Sequence, residues 1–228
     1  MPIPLNLGMP PSREEPRGLL DALLTHRHDT LAGAVAAVGP LLAAPIVAAA
    51  EVVGPPDRDL VIELDTSGDA PAAAGWRPCR YQLDCTAAEL DDILAFTAPA
   101  PLVVYALVDD GALAETARAL TAAGHIPGLP TGHAPDAVAD FLAVLAHADT
   151  GYVARATTAD DVIALLAATV AALAGFDIRG ALAAPEIAHL RQLVPEAVAA
   201  LREILLAVEV PDTDAVARDL ADSGLITR

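Results

Sequence analysis

The sequence predicts an α/β fold: a TIM-like (β/α)8 barrel, short for its class and irregular at both ends. An open doubly wound parallel sheet is the runner-up. Three observations predict it. Apolar runs of strand length alternate with stretches of helical spacing almost throughout, the pattern of parallel βαβ units with right-handed crossovers. Counting weak candidates, eight runs qualify as strands, near residues 19–24, 45–49, 59–65, 79–85, 101–108, 128–131, 151–157 and 205–210. No Gly-x-Gly-x-x-Gly follows any of them, so a dinucleotide-binding Rossmann fold has no support. At 228 residues and 54% hydrophobic, the chain can bury one sizeable core, and with only 3% aromatic residues that core is built from Ala, Leu and Val.

Residues 1–16 read as an extended, proline-rich arm, and residues 17–228 as one barrel domain. The arm has no basic region and no apolar stretch, so it is not a signal peptide. GLLDALL (18–24) is the candidate first strand. Residues 29–42 have helical spacing behind an Asp or Thr N-cap. A short strand lies within 44–53, and DLVIELD (59–65) is a clear one. The Gly/Pro-bounded loop 67–78 carries the single tryptophan, Trp76, a lid residue or a packing plug. CRYQLDC (79–85) is a strand, and a helix follows with Thr86 and Glu89 spaced as a capping box. PLVVYALVDD (101–110) is the strongest strand. A helix after it ends at Gly124, and the proline-bounded stretch 125–132 precedes the helix at 134–149. GYVARAT (151–157) is a strand, with a helix over 158–175 behind Thr158 and Asp161. Two further helical stretches lead into LLAVEV (205–210), and a helix over 212–226 closes the chain.

Charge and residue usage exclude several chemistries. Thirty-one acidic residues against 13 basic ones give a formal charge of −18. Such a surface repels phosphate backbones and anionic lipid, so nucleic-acid and membrane-surface partners are disfavoured. Acidity with Ala, Pro and Arg richness is also common in proteins of high-GC genomes. All 13 cations are arginine, and without a lysine the chain cannot form an internal Schiff base or complete a Walker-A phosphate site. Two cysteines, Cys79 and Cys85, do not make a disulfide framework or a zinc site. On one strand they lie roughly 20 Å apart. Free thiols are expected, in a reducing cytoplasm. The Ala-rich runs are interrupted by Gly and Pro and do not read as membrane spans. Ala-rich helices with exposed Leu leave room for a homodimer.

Residues 128–157, GLPTGHAPDAVADFLAVLAHADTGYVARAT, resemble a stretch of an uncharacterised, mainly actinobacterial family of aldolase-type, TIM-barrel-like proteins. The family pattern reads KLRTGG, a helix, then FKATAG. LLDALL near the start and DAVARDLADSGLI at the end are similar to its LLDYAGLFPPA and EPVEDLRALGLL. The resemblance implies an aldolase-type barrel and no particular activity. The family's first lysine falls on Gly128, its arginine on Pro130, its last glycine on His133 and its second lysine on Arg155. Any chemistry resting on those lysines is lost or replaced here.

In a TIM barrel the active site lies at the C-terminal ends of the strands. Side chains alternate along each strand, which assigns the inward set. By that rule Glu63, Asp65, Arg80, Gln82, Asp84, Tyr105, Arg155, Thr157 and Glu209 point inward. A structural barrel fills with branched aliphatics instead. The competing reading is a buried ion network, since buried charges cost several kcal/mol each unless paired. The reading that follows is a small-molecule enzyme of lyase, isomerase or cyclase type. It works by acid/base catalysis without metal or cofactor, in specialised metabolism. Asp84, Asp65, Glu63 and Tyr105 are the acid/base candidates. Arg80, Arg155, Gln82, Thr157 and His133 are the substrate-binding candidates, with the arginines suited to an anionic or carbonyl-bearing substrate.

THRHDT (25–30) supplies the main alternative. At the end of the first strand, His26 and His28 would hang over the barrel mouth. A His-x-His there resembles the metal motif of amidohydrolase-type barrels, with further ligands from Asp65, Asp84, His133 or Glu209. The bland alternative is an exposed last helical turn. A third reading is a non-catalytic binding or scaffold barrel.

Overall fold

The computed structural model describes residues 18–52, 58–65 and 78–226. The N-terminal arm and the Trp76 loop lie outside these residues. Among the described residues, nine strands form one all-parallel sheet: β1 (Leu24–Thr25), β2 (Arg27–His28), β3 (Ile46–Ala48), β4 (Val61–Glu63), β5 (Arg80–Thr86), β6 (Leu102–Leu107), β7 (Ile126–Leu129), β8 (Tyr152–Arg155) and β9 (Leu205–Glu209). Their order is β1-β9-β8-β7-β6-β5-β4-β3-β2.

The two ends of that order are one piece of chain. Only His26 separates β1 from β2, yet β1 pairs with β9 and β2 with β3. Val210 N donates to Thr25 O on one side, and Ile46 N donates to His26 O on the other. Segment 24–28 is therefore a single stave interrupted at His26. Counted once, it makes the sheet a TIM-like barrel of eight staves that comes round on itself. The doubly wound alternative is set aside, because an open sheet has two separate edges.

Around the barrel run α1 (Leu31–Ala36), α2 (Leu90–Ala95), α3 (Asp110–Ala122), α4 (Pro135–Leu145), α5 (Ala159–Ala174), α6 (Ile178–Ala183), α7 (Ile187–Leu190), α8 (Pro195–Ile204) and α9 (Thr213–Asp222). None of the described helices is long and apolar enough to cross a membrane. The main core lies between helices and sheet. Leu24, Phe141, Tyr152, Leu166, Leu201 and Val208 lie in one cluster, and Val47, Ile62, Tyr81, Leu83 and Val104 in another. A small third cluster, Val103, Tyr105, Val153 and Ala207, fills the barrel itself. α5 is built as its sequence requires. Thr158 accepts from Asp161 N, the Asp161 carboxylate accepts from Thr158 N, and Gly175 ends the helix at φ +71°.

Four of the boundaries that differ from expectation have a visible cause. The first strand covers 24–28, not 19–24, because Ala22 sits at φ +48°, a left-handed conformation that no strand contains. β7 spans 126–129 rather than 128–131, pairing Pro127 inside the sheet where the proline reads as a boundary. α1 stops at Ala36, short of residue 42, where Arg58 Nη1 donates to the carbonyls of Ala34, Val35 and Ala37. Thr86 belongs to β5. The Glu89 carboxylate does accept from Thr86 N and Oγ1, but α2 begins only at Leu90.

Gly128 makes room for the largest interior side chain. A Cβ there would lie 2.5 Å from Tyr105 Cδ1. Gly128→Ala should cost about 1–3 kcal/mol, the usual penalty for overpacking, read as a lower urea midpoint at unchanged slope.

Candidate functional site

Strand alternation brings most of the expected polar set together inside the barrel. Arg155, at the end of β8, lies at the centre. Its Nη1 donates to Asp84 Oδ2 at 2.9 Å, and its Nη2 lies 2.8 Å from Asp84 Oδ1. Its Nε donates to Glu209 Oε2 at 3.1 Å, and its guanidinium stacks 3.8 Å above the Tyr105 ring. Gln82 Nε2 donates to the same Glu209 oxygen at 3.4 Å. Burial works against the Arg155 charge, but the Asp84 hydrogen bonds and the Glu209 charge outweigh it and hold the proton more tightly than usual. Burial, then the Glu209 charge, pushes the Tyr105 hydroxyl far above its ordinary pKa. Beside this network, at the ends of β2 and β4, Arg27 pairs with Glu63.

The cluster is incompletely satisfied. Tyr105 Oη, Gln82 Oε1, Arg80 Nε and Arg80 Nη2 are buried with no hydrogen-bond partner among the described residues. A carboxylate–arginine network serving stability alone would pair such groups, because each buried orphan costs roughly 1–3 kcal/mol.

The loops after β6, β7 and β8 shape the space beside the cluster. A cavity of about 220 Å³ is lined by Leu129–His133, Arg155–Thr157 and Asp161, among others. A second, of about 590 Å³, shares Pro130–His133 and reaches Asp109 and Asp110. His133 Nδ1 lies 2.8 Å from Asp110 Oδ1, and Ala134 N donates to both Asp110 oxygens. The His133 hydrogen bond, then the Ala134 amide, holds the Asp110 carboxyl below its usual pKa.

Chain carboxylates occupy the amide ends of the neighbouring helices. Asp161 accepts from Thr157 N and Thr158 N at α5, and Asp212 accepts from Asp214 N and Ala215 N at α9. These two helices follow the last two staves, where many α/β barrels seat a phosphate. Here the chain's own carboxylates take some of the amides at that place.

Several expected site residues are placed otherwise. His26 and His28 do end the first stave, but they face the helices rather than the mouth. Thr25 and Arg27 take the inward positions. The two imidazoles lie 3.9 Å apart, Thr213 Oγ1 of α9 reaches His26 Nδ1 at 3.3 Å, and His28 packs by Gly33 of α1. No group of three or more His, Cys, Asp or Glu side chains among the described residues is placed to hold a metal. Thr157 lines the 220 Å³ cavity, and its hydroxyl donates to Asp161 Oδ2 at 2.7 Å. Arg80 begins β5, at the N-terminal end of the barrel, so it lies away from the mouth. Asp65 is exposed beyond β4. Cys79 and Cys85 are free thiols, and burial pushes Cys85 up to about 11, an inert group. His125 is structural, its Nε2 2.9 Å from Ile93 O.

Sequence reasoning missed Asp110 and Arg202. An Asp at the first position of a helix reads as a macrodipole residue, with nothing to tie it to a histidine 23 positions on. Arg202 is a buried latch: it donates to the carbonyls of Leu205, Leu206, Asp21 and Ala22, tying α8 and β9 to the turn before β1. Comparison with protein-family models, with curated proteins and with solved structures gives no match.

Three outcomes test this geometry. Arg155→Met leaves Asp84 and Glu209 without their cation. It should cost about 1–3 kcal/mol, below the buried-pair range because Asp84 is 44% exposed. Chemical denaturation of the variant beside wild type checks it. Tyr105→Phe removes an orphaned hydroxyl, so it should leave stability unchanged or raise it by up to about 1 kcal/mol. A clear fall in thermal midpoint would show that the hydroxyl has a partner. For His28, burial first, then His26 and Arg58, lower the pKa. The unfolded chain then binds that proton more tightly. Its contribution to stability is complete above about pH 6.5 and is lost as pH falls through the lowered folded value. His28→Asn should flatten that part of the pH–stability curve.

Proposed function

We propose that the protein is a small-molecule enzyme of lyase, isomerase or cyclase type that works by metal-free acid/base catalysis at the barrel mouth. The observation that carries the reading is the partly satisfied polar cluster, with orphaned Tyr105 Oη and Gln82 Oε1 beside the Asp84–Arg155–Glu209 bridge. Arg155 also lines the 220 Å³ cavity, so the charged network and the open space meet at one residue. Asp84 is the more exposed of the two carboxylates that Arg155 bridges. The self-capped amide ends of α5 and α9 favour a ligand without a phosphate group. A neutral carbonyl compound suits the place better, since it accepts hydrogen bonds without opposing the surrounding carboxylates.

One observation favours a second reading, a non-catalytic binding barrel: Arg155 already uses Nε, Nη1 and Nη2 on Asp84 and Glu209. One experiment separates the two. The chain is incubated with a pool of phosphate-free polar metabolites, and their consumption is followed by mass spectrometry beside thermal unfolding. Consumption that Asp84→Asn removes supports the enzyme. A thermal upshift with no consumption moves the reading to a binding barrel, and neither effect contradicts both.

A further inference from the structure

We propose that His133 is the proton-transfer residue of the mouth, a base whose bare Nε2 serves a molecule seated in the adjoining cavity. The inference rests on the acid/base reading above and adds a residue and a direction of proton flow.

The geometry comes from two loops. Gly132, at φ +92°, turns the chain after β7 in a conformation that favours glycine, and His133 meets the first turn of α3. An ionised carboxylate can only accept a hydrogen bond. With Asp110 facing Nδ1 at 2.8 Å, the neutral imidazole carries its proton on Nδ1 and keeps a lone pair on Nε2, at the opposite edge of the ring. Nε2 makes no hydrogen bond with the described residues, and it is not among the buried unpartnered atoms. The side chain is only 10% exposed. The residue lines both cavities.

The charged groups lining these cavities are Asp109 and Asp110 from the start of α3, Arg155 from β8 and Asp161 from α5. Asp161 is engaged with Thr157 and Thr158. Asp110 is the carboxylate that faces Nδ1, so it stabilises the imidazolium without taking a proton itself. In the step, Nε2 removes a proton from an acidic C–H, O–H or N–H of the ligand. The electron pair stays on the ligand, next to the Arg155 charge. The imidazolium then returns the proton to the rearranged product, so no oxidant or co-reactant is needed.

The test needs no knowledge of the native ligand. Long-range ¹H–¹⁵N spectra of the full chain at neutral to mildly alkaline pH should show His133 as the Nδ1–H tautomer. The probe for base strength is 5-nitrobenzisoxazole. Removal of its C3 proton breaks the N–O bond and releases a coloured cyanophenolate with no other reactant. The wild-type chain should accelerate this elimination, and His133→Gln should slow it by at least about tenfold, the low end for a positioned general base. Asp110→Asn, which leaves the histidine in place, should also slow it. Circular dichroism confirms that both variants fold. An Nε2–H tautomer, no acceleration by wild type, or equal rates in wild type and His133→Gln overturns the proposal. Turnover of a metabolite that survives His133→Gln would uphold the enzyme reading and remove His133 from it.

Discussion

Arg155 is the interaction on which the interior depends. One guanidinium bridges Asp84 of β5 and Glu209 of β9 and covers Tyr105 of β6. Those strands are far apart in sequence, and the bridge spans 71 residues one way and 54 the other. A barrel closed on aliphatic side chains would gain its stability from burial alone. This one places charge at its centre, and charge there is tolerable only while the cation sits between its two carboxylates. The same residue borders the open cavity, so what holds the interior together also forms one wall of the candidate site.

The second constraint is the interrupted first stave. His26 breaks the pairing between Thr25 and Arg27, and the two halves hand the chain from β9 to β3. That break sends the imidazoles of His26 and His28 outward, against α1 and α9, and Arg27 inward to Glu63. The question raised by THRHDT thus has a structural answer. The stretch closes a barrel, and its histidines pack against the helix layer.

Much of the fold was legible from periodicity. β5, β6 and α5 follow from long runs with a clear period of two or of 3.6, and α5 carries its start and stop signals in Thr158, Asp161 and Gly175. The inward polar set was legible for the same reason, since alternation in CRYQLDC and GYVARAT assigns Gln82, Asp84 and Arg155 to one face. The first strand was not, because an apolar run such as GLLDALL satisfies a strand, a helix or a turn equally well, and the backbone at Ala22 decided for the turn. The Asp110–His133 pair was not legible either. It joins the first turn of α3 to the loop after β7, which meet because β6 and β7 are neighbours in the sheet, and no local pattern encodes that meeting.

The central claim is that the space bounded by the β7 and β8 loops and Arg155 receives a small polar ligand. The direct measurement is amide and side-chain chemical-shift mapping of the full chain, titrated with the same phosphate-free metabolite pool in fractions. The account predicts shifts centred on Thr131–His133 and Arg155–Thr157, with the Arg155 Nε–H among them. Shifts confined to the outer helices, or none in any fraction, would contradict it and leave the charged interior as a structural network.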